Sequence, residues 1–147
     1  MNSTAAHIST GVLLGGTAVL NQAPHSALEW VNIIRRGISS RAVDAMLKSI
    51  GLSQAELATA LAIPERTLAR RKREGLLSSE ESSKLFRLAR VVVRATQTFA
   101  DLKTATDWLK SPTPALGGAT PLSLVDTDIG AESVLDTLGR IEQGVFC

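Results

Sequence analysis

From Ala27 onward the apolar residues of this chain recur at helical spacing. "SALEWVNIIRRG" opens after Pro24, with Ser26 in N-cap position, and stops at Gly37. "SSRAVDAMLKSIG" puts Val43, Met46, Leu47 and Ile50 on one face and ends at Gly51. In "LSQAELATALAI" Ser53 is followed three residues later by Glu56, a capping-box pattern, and the inward face is Leu57, Ala58 and Leu61. After Ile63 the chain turns at Pro64 into "ERTLARRKREG", where Leu68 is the only large apolar side chain before Gly75. A long helix is expected from Ser78 or Ser79, with Glu80 and Glu81 in its first turn and Leu85, Leu88, Val92 and Phe99 along a buried stripe. "DLKTATDWLKS" follows and is halted by Pro112. A last helix aligns Val134, Leu138 and Ile141 and closes at Gly144. No stretch alternates as a strand would and no internal repeat is present, so the predicted fold class is all-α.

Composition narrows this further. The 147 residues suffice for one domain or two small ones, and with 44% hydrophobic but 3% aromatic residues the core must be aliphatic. The single cysteine, Cys147, excludes an intrachain disulfide, and His7 and His25 are the only histidines, so no Cys/His metal set exists. "GVLLGGTAVL" at 11–20 has no basic residue before it, unlike a signal peptide, and is too short and glycine-rich to span a bilayer. It is expected to be either an arm packed on a partner subunit or a partly disordered tail. A cytoplasmic protein is expected.

Charge divides the chain. Residues 35–94 hold 13 Lys/Arg against 6 Asp/Glu, whereas residues 95–147 hold 3 against 7. A basic block followed by an acidic one implies two surfaces for different partners, the basic one suited to phosphates.

Two short helices joined by a tight turn, the second basic and thin-cored, have the form of a helix-turn-helix. Glu65, Arg66 and Thr67 at the start of the second helix would reach base edges. Arg66, Arg70 and Arg73 fall on one exposed stripe, where arginine can fork onto guanine or phosphate. Arg71 and Lys72 flank it and would touch the DNA backbone or nothing, Arg71 being counted among the DNA contacts, and Gln54 on the bracing helix is placed to meet a phosphate or base edge. One such unit makes few base contacts, so a homodimer is expected, with the apolar arm and the helix from Ser26 as interface material.

"PTPALGGATPL", 112–122, joins the two last helical parts. Pro112 and Pro114 stop the helix of Trp108 and hold the backbone extended. Gly117 and Gly118 allow angles that other residues resist, and Thr120 can cap a short turn with Pro121 at its first position. Leu116 and Leu122 are its anchors. The segment reverses the chain and sets the final helix against Trp108 and Leu109.

With these residues in view, the chain resembles the Xre/MbcA/ParS-type antitoxins paired with RES-domain toxins. "GISSRAVDAMLKSIGLSQAELATALAIPERTLARRKREGLLSSEES" resembles their Xre-like helix-turn-helix. "WLKSPTPALGGATPLSLVDTDIGAESVLDTLGRIEQGVF" resembles their toxin-binding region, with its Trp-Leu pair, A-L-G-G-x-x-P-L element and closing I-E-x-G. Where members often carry histidine before the final glycine, this chain has Gln143. Residues 1–25 lie outside the resemblance and are expected to be a flexible or dimerising arm; the resemblance implies a DNA-binding domain at 26–95 and a toxin-binding domain at 96–147. It implies an antitoxin that holds a RES toxin, of a family associated with NAD+ breakdown, inactive and represses its own operon through operator DNA. Toxin contacts would come from Trp108, Leu116, Gly117, Gly118, Pro121, Leu122, Glu142, Gln143, Val145 and Phe146, with "EQGVFC" as a plug and Asp126, Asp128, Glu132 and Asp136 facing a basic cleft. No nucleophile–base pair and no P-loop spacing occurs, so neither catalysis nor a cofactor is expected. The alternative is a stand-alone helix-turn-helix repressor whose C-terminal part serves dimerisation or sensing.

Overall fold

A computed structural model describes residues 9–144. Among the described residues ten α-helices run in order: α1 Thr10–Leu13, α2 Thr17–Leu20, α3 Ala27–Arg36, α4 Arg41–Ile50, α5 Gln54–Leu61, α6 Glu65–Glu74, α7 Ser79–Phe99, α8 Leu102–Leu109, α9 Pro121–Leu124 and α10 Asp128–Glu142. A 3-10 turn, Pro114–Leu116, sits between α8 and α9.

Local chemistry sets most of these boundaries. Ser26, Ser53, Ser78, Asp101 and Thr127 each cap the helix that follows with a side-chain oxygen. Ser53 with Glu56 and Ser78 with Glu81 form complete capping boxes. Gly51 and Gly75 close α4 and α6 in left-handed conformation.

The 21-residue α7 is the bar on which the rest hangs, with α1, α3, α5, α8 and α10 packed along it. Its Leu85, Leu88, Ala89, Val92 and Ala95 are fully buried. They join Met46, Leu57, Leu61, Leu68, Leu109, Val134 and Leu138 in one aliphatic cluster. The boundary expected between 95 and 96 therefore falls inside a helix that both halves share. Two aromatic pairs seal its flanks: Trp30 on Phe86, ring centroids 4.7 Å apart, and Phe99 on Trp108 at 5.6 Å.

The N-terminal stretch departs from expectation. Residues 9–25 form α1 and α2, and Leu13, Leu14 and Leu20 are buried against α4 and α7 of the same chain. The described part of this segment is therefore no free tail: it packs on its own chain and leaves Val12 outward. Three leucines shielded from water by their own chain stabilise helices of four residues that would not form alone.

Turns before and after the α4–α6 unit are tied to each other. The Ser40 amide donates to the Gly75 carbonyl at 3.1 Å and the Leu77 amide to Ile38 at 2.9 Å, forming an isolated antiparallel bridge. Gly37 is required beside it, since its φ is +98° and a Cβ would lie 2.4 Å from the Leu77 carbonyl oxygen.

Candidate functional site

The α5–α6 pair is built around a sharp turn. Ala62 takes a left-handed conformation, φ 55°, unusual for alanine and costing about 1 kcal/mol. Its carbonyl accepts from Lys84 Nζ at 3.0 Å, and Ile63 behind it is buried. Pro64 then enters α6 as N-cap. The expected inner face of α5, Leu57, Ala58 and Leu61, is buried together with Ala60. In α6 only Leu68 is buried, so nearly the whole helix is presented outward. Glu65, Arg66, Arg70 and Arg73 are exposed, Thr67 and Gln54 half-buried.

Contacts sort the cations more sharply than sequence position does. Arg66 and Arg73 have no ion pair or hydrogen bond among the described residues, and Arg70 approaches only Glu74, at a loose 3.7 Å. Arg71 behaves differently. Its Nε donates to Glu81 at 2.8 Å and its Nη1 to Glu74 at 3.0 Å. Those hydrogen bonds, the one from Glu81 foremost, raise its pKa further. Arg71, expected among the DNA contacts, is thus committed to fastening α6 onto the start of α7. Glu81 feels burial that opposes its charge, but the Ser78 amide, Arg71 and the Ser78 hydroxyl outweigh it and lower its pKa.

Elsewhere in the basic block, Arg36 donates to Gln22, Arg41 to the Ala18 carbonyl, and Lys72 to Asp44 and Gln54. Arg87 holds the Val125 carbonyl at 3.0 Å and Asp128 at 2.7 Å. Arg94 holds Glu142. Much of the cationic excess is internal scaffolding, and what is left outward on α6 is the Arg66–Arg70–Arg73 stripe.

The 112–122 segment folds on itself. The Thr113 amide donates to the Ala119 carbonyl at 3.0 Å, and the Thr113 carbonyl accepts from Leu116 and Gly118. Pro114 was expected to keep the chain extended; instead it starts the 3-10 turn, because a fixed φ suits a helical first position equally well. Gly117 and Gly118 follow with φ of +70° and +86°. Thr120 caps α9 through the Ser123 amide, and Pro121 is its buried first residue. Leu116 and Leu122 pack partly on the core, as does Trp108. Leu116 and Leu124 border a concavity of about 310 Å³ against Ser133, Asp136 and Arg140 of α10. The chain reversal is therefore rigid, with the glycine pair at its exposed tip.

Glu142 is not a free surface carboxylate. Arg94 grips both its oxygens and the Thr98 hydroxyl adds a third bond at 2.9 Å. Its pKa is lowered, by Arg94 first. This makes Glu142 a clamp between α10 and α7 that remains exposed. Asp128 is likewise bound to Arg87, while Asp126, Glu132 and Asp136 have no partner among the described residues. Gln143 is exposed; Val145 and Phe146 lie outside the described residues. Pattern reasoning missed Ile129, 77% exposed in the first turn of α10; its place off the Val134–Leu138 stripe was the available signal. Among the described residues no group of His, Cys, Asp or Glu is placed to hold a metal, and no helix is long and apolar enough to cross a membrane.

Comparison with known proteins meets both halves of this arrangement. Residues 29–90 match the antitoxin Xre-like helix-turn-helix domain, and residues 94–144 match the antitoxin Xre/MbcA/ParS C-terminal toxin-binding domain. The antitoxin Xre of Yersinia enterocolitica is 36% identical over 79% of this chain and 80% of its own length. That of Photorhabdus laumondii is 31% identical over 77% and 78%. The fold is similar to a chain in the crystal structure of the M. tuberculosis MbcT–MbcA toxin–antitoxin complex, with a TM-score of 0.54 and 24% identity, covering 74% of this chain and 96% of that one. With a helix-turn-helix half and a toxin-binding half joined through α7, the chain belongs to the Xre antitoxin family and is a type II antitoxin.

Proposed function

We propose that this antitoxin holds a RES-domain, NAD+-degrading toxin inactive in the cytoplasm and, as a homodimer, represses its own operon by binding operator DNA. It performs no catalysis itself. The observation that carries the DNA part is the stripe of Arg66, Arg70 and Arg73 standing outward on a helix whose one buried side chain is Leu68. Residues 26–95 supply this face, with Glu65 and Thr67 at the groove-entering end and Gln54 beside the last turn of α6. Residues 96–147 supply the toxin face, built on the Gly117–Gly118 tip, Leu116, Leu122 and the exposed side of α10. Trp108 and Pro121 support that face from within.

A homodimer is favoured by Leu28, Val31 and Val12, which are 68%, 37% and 64% exposed on the outer side of α3 and on α1. Paired copies would also double the base contacts of a single unit.

Co-expression with a RES-domain toxin tests the proposal. Growth should be rescued and the two proteins should co-purify; no rescue and no complex would refute it. Deleting "GVFC" at 144–147 should impair inhibition and leave DNA binding intact.

A further inference from the structure

Lys72 sits in the last turn of the basic helix, yet its head group is turned onto α4 and α5. Its Nζ donates to Asp44 Oδ1 at 2.9 Å and to Gln54 Oε1 at 3.0 Å, and the side chain is 30% exposed. The two acceptors belong to different elements, Asp44 in the first turn of α4 and Gln54 at the start of α5. A lysine that neutralises a phosphate brings it an unmatched charge. Here Asp44 already matches that charge.

The consequence falls on Gln54. A glutamine amide has an acceptor end and a donor end. With the oxygen held by Lys72, the NH2 group is directed away from the ammonium and can only donate. Phosphate oxygens and the guanine N7 and O6 edge are acceptors, so a donor is what the face beside α6 needs. We propose that Lys72 is a positioning residue. It fixes the Gln54 amide with its NH2 available to a DNA acceptor, and makes no phosphate contact of its own. This rests on the assignment of α5–α6 as the DNA face.

The test is fluorescence anisotropy on a labelled duplex covering the promoter of this chain's own gene, over a salt series. Lys72→Met combined with Asp44→Asn removes the pair without changing local net charge. Affinity should fall about tenfold with an unchanged log–log salt slope, whereas Arg66→Ala should make the slope shallower by about one. Gln54→Ala should match the loss of the double variant, and adding it to that variant should cost nothing more. Lys72→Arg, which can still reach both acceptors, should keep most of the affinity.

A slope shallower by about one in the double variant would make Lys72 a phosphate contact and overturn the proposal. Additive losses on combining it with Gln54→Ala would overturn it as well. Thermal melting checks that the double variant folds. If it does not, Gln54→Ala, at a helix start clear of the core, still decides: undiminished affinity in that variant refutes the role. Wild-type protein that binds no duplex at any salt would overturn the DNA assignment itself, and the Arg66→Ala control makes that outcome distinct.

Discussion

Leu68→Ala is the sharpest perturbation available, because α6 meets the core through that one side chain. Leu68 is fully buried, and truncating a buried leucine costs about 2–5 kcal/mol through lost transfer energy and the cavity left behind. The remaining ties are ion pairs. Arg71–Glu81 and Lys72–Asp44 keep side-chain exposures of 25%/11% and 30%/59%; the open second pair contributes about 0–1 kcal/mol, and the first must offset the desolvation of the buried Glu81 before it adds net stability. They cannot replace the leucine. A chain of this size has a stability on the order of 10 kcal/mol, so the loss is a large fraction. Thermal unfolding followed by circular dichroism should show Tm lower by roughly 5–15 °C. Hydrogen exchange should localise the effect: the α6 amides should lose protection well before those of α7, because only α6 loses its anchor. A Tm within about 2 °C of wild type, with α6 as protected as before, would refute the argument that one leucine holds the helix.

Three other outcomes are expected. Gly130→Ala should destabilise the protein by about 1–3 kcal/mol and weaken toxin capture. An added Cβ would lie 1.8 Å from the Leu124 carbonyl oxygen, forcing the α9–α10 junction apart, and urea titration would measure it. Stability should hold from neutral pH down to the ordinary glutamate value of 4.5 and then decline. Glu81 and Glu142 have lowered folded-state pKa values, so the stability they contribute is complete above the unfolded value and lost as pH falls through the folded ones. Glu81→Gln with Glu142→Gln should flatten that decline, read from urea midpoints across pH. Arg66→Ala and Arg70→Ala should each weaken promoter binding by about 1–3 kcal/mol where the side chain reads a base, measured by anisotropy; equal affinity in wild type and the double variant would remove α6 from the DNA face.

What could be read from the sequence was what is local. Ser53 with Glu56 and Ser78 with Glu81 declare their helix starts within four residues, and Gly51 and Gly75 mark ends for reasons confined to one backbone position. The glycine pair and Thr120–Pro121 likewise fix the chain reversal through their own torsions. The hidden features depend on distant partners. Helices α1 and α2 are four residues each and exist because Leu13, Leu14 and Leu20 find α4 and α7; "GVLLGGTAVL" alone carries no helical period that reveals it. Charges were misjudged for the same reason. Arg71 meets Glu81 ten positions away, and Arg94 meets Glu142 forty-eight away, beyond any helical spacing rule. A count of basic residues registers Arg71, Lys72, Arg87 and Arg94 as surface charge when each is held by an acidic or carbonyl partner. The outward stripe is smaller than the composition suggests, and more specific.

The central claim is that two faces, the proposed one for DNA on α5–α6 and the one for the toxin on the 112–122 tip and α10, act separately. Replacing Arg66, Arg70 and Arg73 together with alanine, and expressing that variant from an unrelated promoter alongside the toxin it neutralises, tests it most directly. The account predicts full growth rescue and an intact complex from a protein that no longer retards its own promoter. Loss of rescue in a variant that still folds would contradict it.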